Sequence, residues 1–201
     1  KLARNAGDTK FIKEWEGMPE KVRESFVQVF WIKEKGYLAD FVNGGGQNVY
    51  VRPNQVIACS LEYSPLTDEM KRGVLNVVEN ELLTPKGLRT LAPKNVHYEG
   101  TYEGDQATRD HAYHQGTVWP WLIGPYIEAN FRLYGKKFVK TAKEILAGFE
   151  EDMTVYGVCS VSEVYDGNPP YTPNGCISQA WSVGEILRSG ALVRKYEKAK
   201  K

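Results

Sequence analysis

The densest group of chemically active side chains in the sequence lies between Arg109 and Trp121. Within thirteen residues this stretch combines guanidinium, carboxylate, imidazole, amide, phenol and indole groups. Sugars carry hydroxyls that form paired hydrogen bonds with such groups, and flat C–H faces that pack on aromatic rings. The composition therefore favours a carbohydrate site, although a structural role of Trp119 and Trp121 in the core explains the indoles equally well. The candidate sugar contacts in this stretch are Arg109, Asp110, Tyr113, His114, Gln115 and Trp119.

A second candidate group is the carboxylate of Glu163, in the long connection 154–175. Three prolines stiffen this connection, and apolar residues flank Glu163 on both sides. Partial burial would hold the carboxylate in one place, as a catalytic acid or base requires. By spacing alone, a structural salt bridge is as good an interpretation of Glu163 as catalysis.

A third candidate is Asp40, in the long connection 35–54. Three consecutive glycines follow it, and Arg52-Pro53-Asn54-Gln55 stands directly before an apolar run. Asp40 is a further candidate for substrate binding. For the segment from Arg52 to Gln55, helix capping is the better interpretation.

Several familiar catalytic and metal-binding patterns are missing from the sequence. His111 and His114, taken with Asp105 or Asp110, match no recognised zinc or facial-triad spacing, so no metal site is predicted. There is no Gly-x-Ser-x-Gly elbow, which argues against acyl transfer. There is also no glycine-rich phosphate loop, which argues against nucleotide or dinucleotide chemistry.

Composition narrows the remaining functional classes, because it argues against nucleic-acid binding and membrane insertion. The 26 Lys and Arg balance the 25 Asp and Glu among 201 residues, so no net field favours nucleic acid or an anionic membrane. The longest largely apolar stretch, 118–127, is far shorter than the roughly 20 residues of a membrane helix.

Three widely spaced cysteines argue against a disulfide framework and favour a reducing, cytoplasmic location. The chain opens at Lys1 without an initiator Met or a signal peptide, so we expect a fragment with a single domain.

Hydrophobic periodicity predicts an all-α protein in which two kinds of helix alternate. Helices with one apolar stripe cover a core from outside, whereas helices that are apolar on most sides lie inside it. The predicted outer helices are 18–34, 68–83 and one after Gly135, and the predicted inner helices are 55–63, 117–134 and one beginning near 177.

This alternation predicts helical hairpins repeated around an axis. The inner helices begin about 60 residues apart, although no sequence repeat accompanies them. In an antiparallel succession every second connection lies at the same end. We therefore expect the long connections that carry Asp40, His114 and Glu163 to gather on one face.

Five short segments then invite comparison with known enzymes. In order they are 36–40 (GYLAD), 52–55 (RPNQ), 112–122 (AYHQGTVWPWL), 162–167 (SEVYDG) and 175–182 (GCISQAWS). Together they resemble the prokaryotic glycogen debranching enzymes, which are amylo-α-1,6-glucosidases, over most of residues 8–188. The resemblance implies an α/α toroid of six helical hairpins, of which residues 1–201 form about the C-terminal half.

The resemblance also implies a chemistry and roles for residues. Family members remove α-1,6-linked glucosyl stubs from glycogen or limit dextrin by inverting hydrolysis, without a cofactor. Glu163 matches the base that activates water. The matches to sugar contacts are Arg109, Asp110, Tyr113, His114, Gln115 and Trp119. The general acid is an aspartate of the N-terminal half of the family's domain, so we expect this chain alone to be inactive and to expose apolar flanks.

Two alternatives stay open at this point. Another exo-glucosidase on the same toroid, cutting trehalose or α-1,4 ends, would present a similar base and similar sugar contacts. A noncatalytic carbohydrate-binding module would use the same aromatic residues and need no acid.

Overall fold

The computed structural model describes residues 1–199, and about half of them are helical. Helix formation follows the periodicity of the apolar residues, with the longest helices where that periodicity is longest. The helices are α1 (Leu2–Asn5), α2 (Thr9–Trp15), α3 (Met18–Phe30), α4 (Asn54–Ser60), α5 (Asp68–Glu81), α6 (Gln106–Ala112), α7 (Ile123–Tyr134), α8 (Val139–Ala147), α9 (Asp152–Val155) and α10 (Ala180–Lys198).

The predicted helices are present, with local signals at their ends. Pro19 lies in the first turn of α3, where its missing N–H costs nothing. The hydroxyl of Thr67 caps α5 by accepting a 3.2 Å hydrogen bond from Met70 N. The helix predicted over 117–134 is shorter, because its first residues form a strand and a 3₁₀ turn around Pro120 before α7 begins.

The helices pack in the predicted alternating order. The inner helices α4, α7 and α10 follow one another side by side, α4 against α7 and α7 against α10. Outside them, α5 covers α4 and α7, while α8 covers α10. Val56, Val74 and Ile123, from α4, α5 and α7, are fully buried where these helices meet. The core therefore lies between an inner and an outer layer of helices.

Short strands in and beside the long connections were not predicted, and two of them, β1 and β7, occupy residues of the helices predicted over 18–34 and 117–134. The strands form two separate hairpins and one antiparallel sheet in the order β5-β6-β7-β8-β9. Each strand has only two or three residues, so the protein remains a helical fold with a small sheet at one end. The strands are β1 (Trp31–Ile32), β2 (Tyr37–Leu38), β3 (Val42–Asn43), β4 (Gly46–Gln47), β5 (Leu83–Thr84), β6 (Gly87–Arg89), β7 (Val118–Trp119), β8 (Val164–Tyr165) and β9 (Pro173–Asn174).

The five-stranded sheet joins the second and third long connections. Val118 in β7 is paired with Tyr165 in β8, and Leu88 in β6 with Trp119. In this antiparallel register Trp119 lies across from Val164, the sequence neighbour of Glu163. Because Nε1 of Trp119 donates to the carbonyl of Tyr113, the sheet also brings Tyr113 close to Glu163.

Large apolar side chains remain exposed at the N-terminal edge of the fold. Leu2 is 85% exposed, and Phe11, Trp15 and Val22 lie in the open on α2 and α3. Contiguous exposed apolar residues commonly mark a surface that another part of a protein covers.

Within residues 1–199, no helix is both long and apolar enough to cross a membrane.

The turn between β5 and β6 yields a prediction about stability. Gly87 has φ +130°, and a Cβ placed there would lie 2.7 Å from the carbonyl oxygen of Trp119. We expect Gly87→Ala to lower the free energy of unfolding by about 2 kcal/mol, because the turn must move away from β7. Urea denaturation followed by circular dichroism measures this change.

Gly44→Ala is the matched control, since a Cβ at Gly44 would meet no atom within 4 Å. Its effect should stay within about 0.5 kcal/mol of zero. Equal stability of the two variants would contradict the close approach of Gly87 to β7.

Candidate active site

The carboxylate of Glu163 is held at both oxygens. Its Oε1 accepts a hydrogen bond from the hydroxyl of Tyr113, and its Oε2 accepts one of 3.0 Å from the backbone N–H of Cys176. The backbone N–H of Glu163 in turn donates to the carbonyl of Cys176 at 2.9 Å. In the described part of the chain no basic side chain lies within ion-pair distance of Glu163, so the salt-bridge interpretation is wrong.

Gly175 makes the second of these hydrogen bonds possible. A Cβ at this position would lie 2.5 Å from Oε2 of Glu163, and the backbone has φ +69°. Only glycine adopts this conformation readily while leaving space for a carboxylate. The segment after β9 can therefore pass directly against Glu163 and point the N–H of Cys176 at it.

These donors determine the charge of Glu163. Partial burial alone would raise the pKa of this carboxyl, but the hydrogen bonds from Tyr113 and Cys176 outweigh it and hold the pKa below its usual value. Glu163 is therefore ionised at neutral pH. A carboxylate in this state can accept a proton and is unsuited to donating one.

Five aromatic rings, which we call the aromatic cluster, lie beside Glu163. The imidazole of His114 stacks on Trp119, with ring centroids 5.2 Å apart and planes 9° from parallel. Trp119 is only 4% exposed, and its Nε1 donates to the carbonyl of Tyr113 at 2.9 Å. Trp119 thus supports the rings above it and offers little surface of its own. The members of the aromatic cluster are Tyr113, His114, Trp119, Trp121 and Trp181.

An open cleft of about 540 Å³, which we call the loop-face cleft, adjoins the aromatic cluster through His114. Its wall combines charged, amide and imidazole groups with two aromatic side chains. The lining residues are Asp40, Phe41, Asn48, Tyr50, Arg52, Pro53, Asn54, Thr90, His114 and Gln115.

Arg52 organises this cleft. Its Nη1 donates to the carbonyls of Thr90 and His114 at 3.0 and 2.6 Å, and its Nη2 donates to Oε1 of Gln115 at 2.7 Å. Its Nε lies 3.5 Å from Oδ2 of Asp40. One guanidinium therefore ties the first long connection to the second, as its fixed planar fork allows.

Comparison with known proteins identifies the family of this chain. The profile of a family described as amylo-alpha-1,6-glucosidase matches residues 2–188. The chain belongs to this family. The glycogen debranching enzyme of Saccharomyces cerevisiae is 27% identical over 106 residues, which are 49% of this chain and 7% of that protein. This chain therefore spans only a small part of that curated relative.

A solved structure with the same fold extends the comparison. Neutral trehalase Nth1 from Saccharomyces cerevisiae superposes with a TM-score of 0.64 over 90% of this chain and 32% of its own, at 16% identity. At this identity the likeness concerns the fold alone. It confirms the α/α toroid that the amylo-alpha-1,6-glucosidase family implies.

The structure brings together most of the site residues that the family resemblance predicts for this chain. Asp40, His114 and Gln115 line the loop-face cleft, and Tyr113 joins it to Glu163. The three long connections therefore meet on one face, as expected.

Arg109 and Asp110 lie elsewhere than the other candidates. Both are on α6, where Nη1 of Arg109 donates to the carbonyl of Gly104 at 2.5 Å and Asp110 is exposed. Neither residue lines the loop-face cleft. Their role in sugar binding stays a prediction from the family resemblance.

Sequence reasoning missed the role of Arg52. The capping interpretation of the segment from Arg52 to Gln55 is wrong, because no side chain caps α4. Instead, Gln55 accepts from Leu38 N and donates to the carbonyl of Arg52. The signal was the arginine itself, since a partly buried guanidinium needs acceptors for its several N–H groups, whereas a helix N-cap requires a side chain that accepts.

The loop-face cleft yields a prediction about His114. Burial first, and the positive charge of Arg52 second, lower the pKa of His114 from its usual value. Arg52→Gln removes the charge, so the pKa of His114 should rise toward its usual value. Titration of the histidine resonances by NMR measures the change.

Arg23→Gln is the control, because Arg23 forms only an exposed pair with Glu20. This variant should leave the titration of His114 as it is in the wild type. An unchanged titration in Arg52→Gln would contradict the proximity of Arg52 and His114.

Proposed function

We propose that this chain supplies the general base and part of the sugar site of a glucosidase that removes α-1,6-linked glucosyl stubs from glycogen or limit dextrin with inversion. The observation that carries the proposal is the carboxylate of Glu163, which accepts hydrogen bonds from uncharged donors at both oxygens and is connected through Tyr113 to His114 of the loop-face cleft. Membership of the amylo-alpha-1,6-glucosidase family supports the choice of linkage.

The proposed reaction assigns Glu163 a single step. Its carboxylate accepts a proton from a water molecule while the water oxygen attacks C1 of the terminal glucose. The bond between C1 and the glucan O6 breaks on the opposite face, and a general acid protonates O6. Attack from the face opposite to the leaving oxygen converts the α linkage into β-glucose.

The cleft suits recognition of a glucose unit. Asp40 and Gln115 offer acceptors, Asn54 and Arg52 offer donors, and the ring of Tyr50 offers a face for C–H packing. Much of this polar set is already hydrogen-bonded within the protein, for example Asn54 Nδ2 to Asp40 Oδ1 at 2.9 Å. The groups are therefore held in fixed positions before a sugar arrives, which lowers the entropic cost of binding.

The general acid must present a carboxyl group to the departing glucan oxygen. Asp40 pairs with Arg52, and Oδ1 of Asp166 accepts from Tyr102 N and from Asn174 Nδ2. Both carboxylates are thereby engaged within the protein. We propose that the acid belongs to a further segment of the natural protein, and the exposed apolar side chains of α1 to α3 fit a surface that such a segment covers.

Substitution of the base tests this assignment. In the natural gene product that contains residues 1–201, Glu163→Gln should lower turnover on α-1,6-branched limit dextrin at least about a hundredfold. The amide keeps the shape of the side chain but cannot take the proton from water. An enzymatic assay of released glucose measures the loss of turnover in the variant. Comparison of limit dextrin, maltose and trehalose as substrates shows which linkage the enzyme prefers.

Glu103→Gln is the matched control, because Glu103 is an exposed carboxylate in the second long connection. Its turnover should equal that of the wild type. Near-normal turnover of Glu163→Gln would assign the base elsewhere. Faster cleavage of trehalose or maltose than of limit dextrin would identify another exo-glucosidase, and sugar binding without any hydrolysis would identify a binding module.

A further inference from the structure

The contact between Tyr113 and Glu163 suggests a role for the tyrosine that differs from sugar binding. Its hydroxyl donates to Oε1 of the carboxylate and is therefore occupied within the protein. We propose that Tyr113 is a positioning residue that fixes the orientation and the charge of Glu163. This inference rests on the proposed function, because it concerns how the proposed base is held.

The ring of Tyr113 is fixed from several directions. It follows α6 directly, and its backbone N–H donates to the carbonyl of Arg109 at 2.9 Å. Trp119 packs edge-on against it with centroids 4.7 Å apart, and Tyr102 packs at 5.4 Å. The indole N–H of Trp119 also binds its carbonyl. Ring, backbone and hydroxyl direction are thus determined together.

The second oxygen of Glu163 is fixed independently. Its donor is the N–H of Cys176, a backbone group that Gly175 allows to approach. A carboxylate held by one donor can rotate about its terminal bond, whereas two donors from different segments define its plane. Tyr113 provides one of the two, and it is the only one of them that a side-chain substitution can remove.

In the hydrogen bond between Tyr113 and Glu163, the tyrosine stays the donor while the carboxylate titrates. The titratable neighbours are the thiol of Cys176 beside Glu163, and Tyr102 and His114 beside Tyr113. Burial, and then the hydrogen bond and the charge of Glu163, raise the pKa of Tyr113 well above its usual value. Tyr113 therefore stays protonated wherever Glu163 is ionised. Of this pair, only Glu163 changes charge in the acidic range.

Removal of the Tyr113 hydroxyl should change the pKa of Glu163 in one direction, upward. The hydrogen bond favours the ionised form of Glu163, so its loss raises the pKa of the carboxyl. The stability that this bond adds is present at neutral pH and is lost as pH falls through the pKa of folded Glu163. Tyr113→Phe should lose that contribution at neutral pH and show a weaker pH dependence in the acidic range.

The first test uses this chain and needs no activity. With ¹³C-labelled glutamate carboxyls, and with Glu163→Gln to assign the resonance, the pKa of Glu163 should be higher in Tyr113→Phe than in the wild type. Tyr102→Phe is the matched control, since it removes a hydroxyl from the neighbouring ring and should leave that pKa unchanged. An unchanged pKa in folded Tyr113→Phe, or an equal rise in Tyr102→Phe, would overturn the proposal.

A measurement on the wild type covers the case in which Tyr113→Phe fails to fold. The ¹³Cζ resonance of Tyr113 should shift with the same midpoint as the carboxyl of Glu163, because the two groups are the donor and the acceptor of one hydrogen bond. A flat Tyr113 resonance across the titration of Glu163 would overturn the proposal.

The second test uses the natural gene product and separates this inference from the proposed function. Tyr113→Phe should lower kcat about tenfold with little change in KM, and should move the acidic limb of the pH profile to higher pH. An unmoved limb would overturn the role of Tyr113 while leaving Glu163 as the base. Normal turnover of Glu163→Gln would instead reject the proposed base, whatever the titration of Glu163 shows.

Discussion

The pairing of β7 with β8 is the constraint on which the candidate site depends. Val118 and Tyr165 are 47 positions apart in the sequence, and their pairing sets the second long connection against the third. Trp119 thereby lies across from Val164, and Tyr113, whose carbonyl accepts from Nε1 of Trp119, reaches the carboxylate of Glu163. The helices provide the frame, but the short strands determine which loop residues touch.

Two different kinds of interaction then complete the site. Around Glu163, neutral donors stabilise a negative charge without an opposite charge beside it, which leaves a carboxylate that is ionised and still able to accept a proton. Around Arg52, a guanidinium binds carbonyls, an amide and a carboxylate, which fixes the wall of the cleft. His114 belongs to both regions, since it lines the cleft and stacks on Trp119.

Periodicity was sufficient to predict α3, α4, α5, α7, α8 and α10 and the inner and outer order of the last five, but not α2, α6 and α9. The apolar stripe of α5 and the almost continuous apolar run of α7 each have one simple structural explanation. The strands were not predictable in this way, because two residues such as Val118 and Trp119 carry no period. Their pairing depends on partners far away in the sequence, and so does the set of acceptors that Arg52 finds.

Glu163 was a candidate from its apolar surroundings, but the residues alone could not separate catalysis from a salt bridge. The family resemblance supplied the role, and the structure removed the salt bridge by giving both oxygens uncharged donors. Gly175 had no distinguishing signal, because a glycine next to β9 is also typical of an ordinary turn. Its importance appears only when the distance to Glu163 is known.

The configuration of the first glucose released tests the central claim most directly, because it reports which face of C1 the activated water attacks. Proton NMR of the natural gene product acting on α-1,6-branched limit dextrin separates the two anomers before they interconvert. A base at Glu163 that activates water for a single displacement predicts β-glucose as the initial product. Initial release of α-glucose would contradict this role of Glu163.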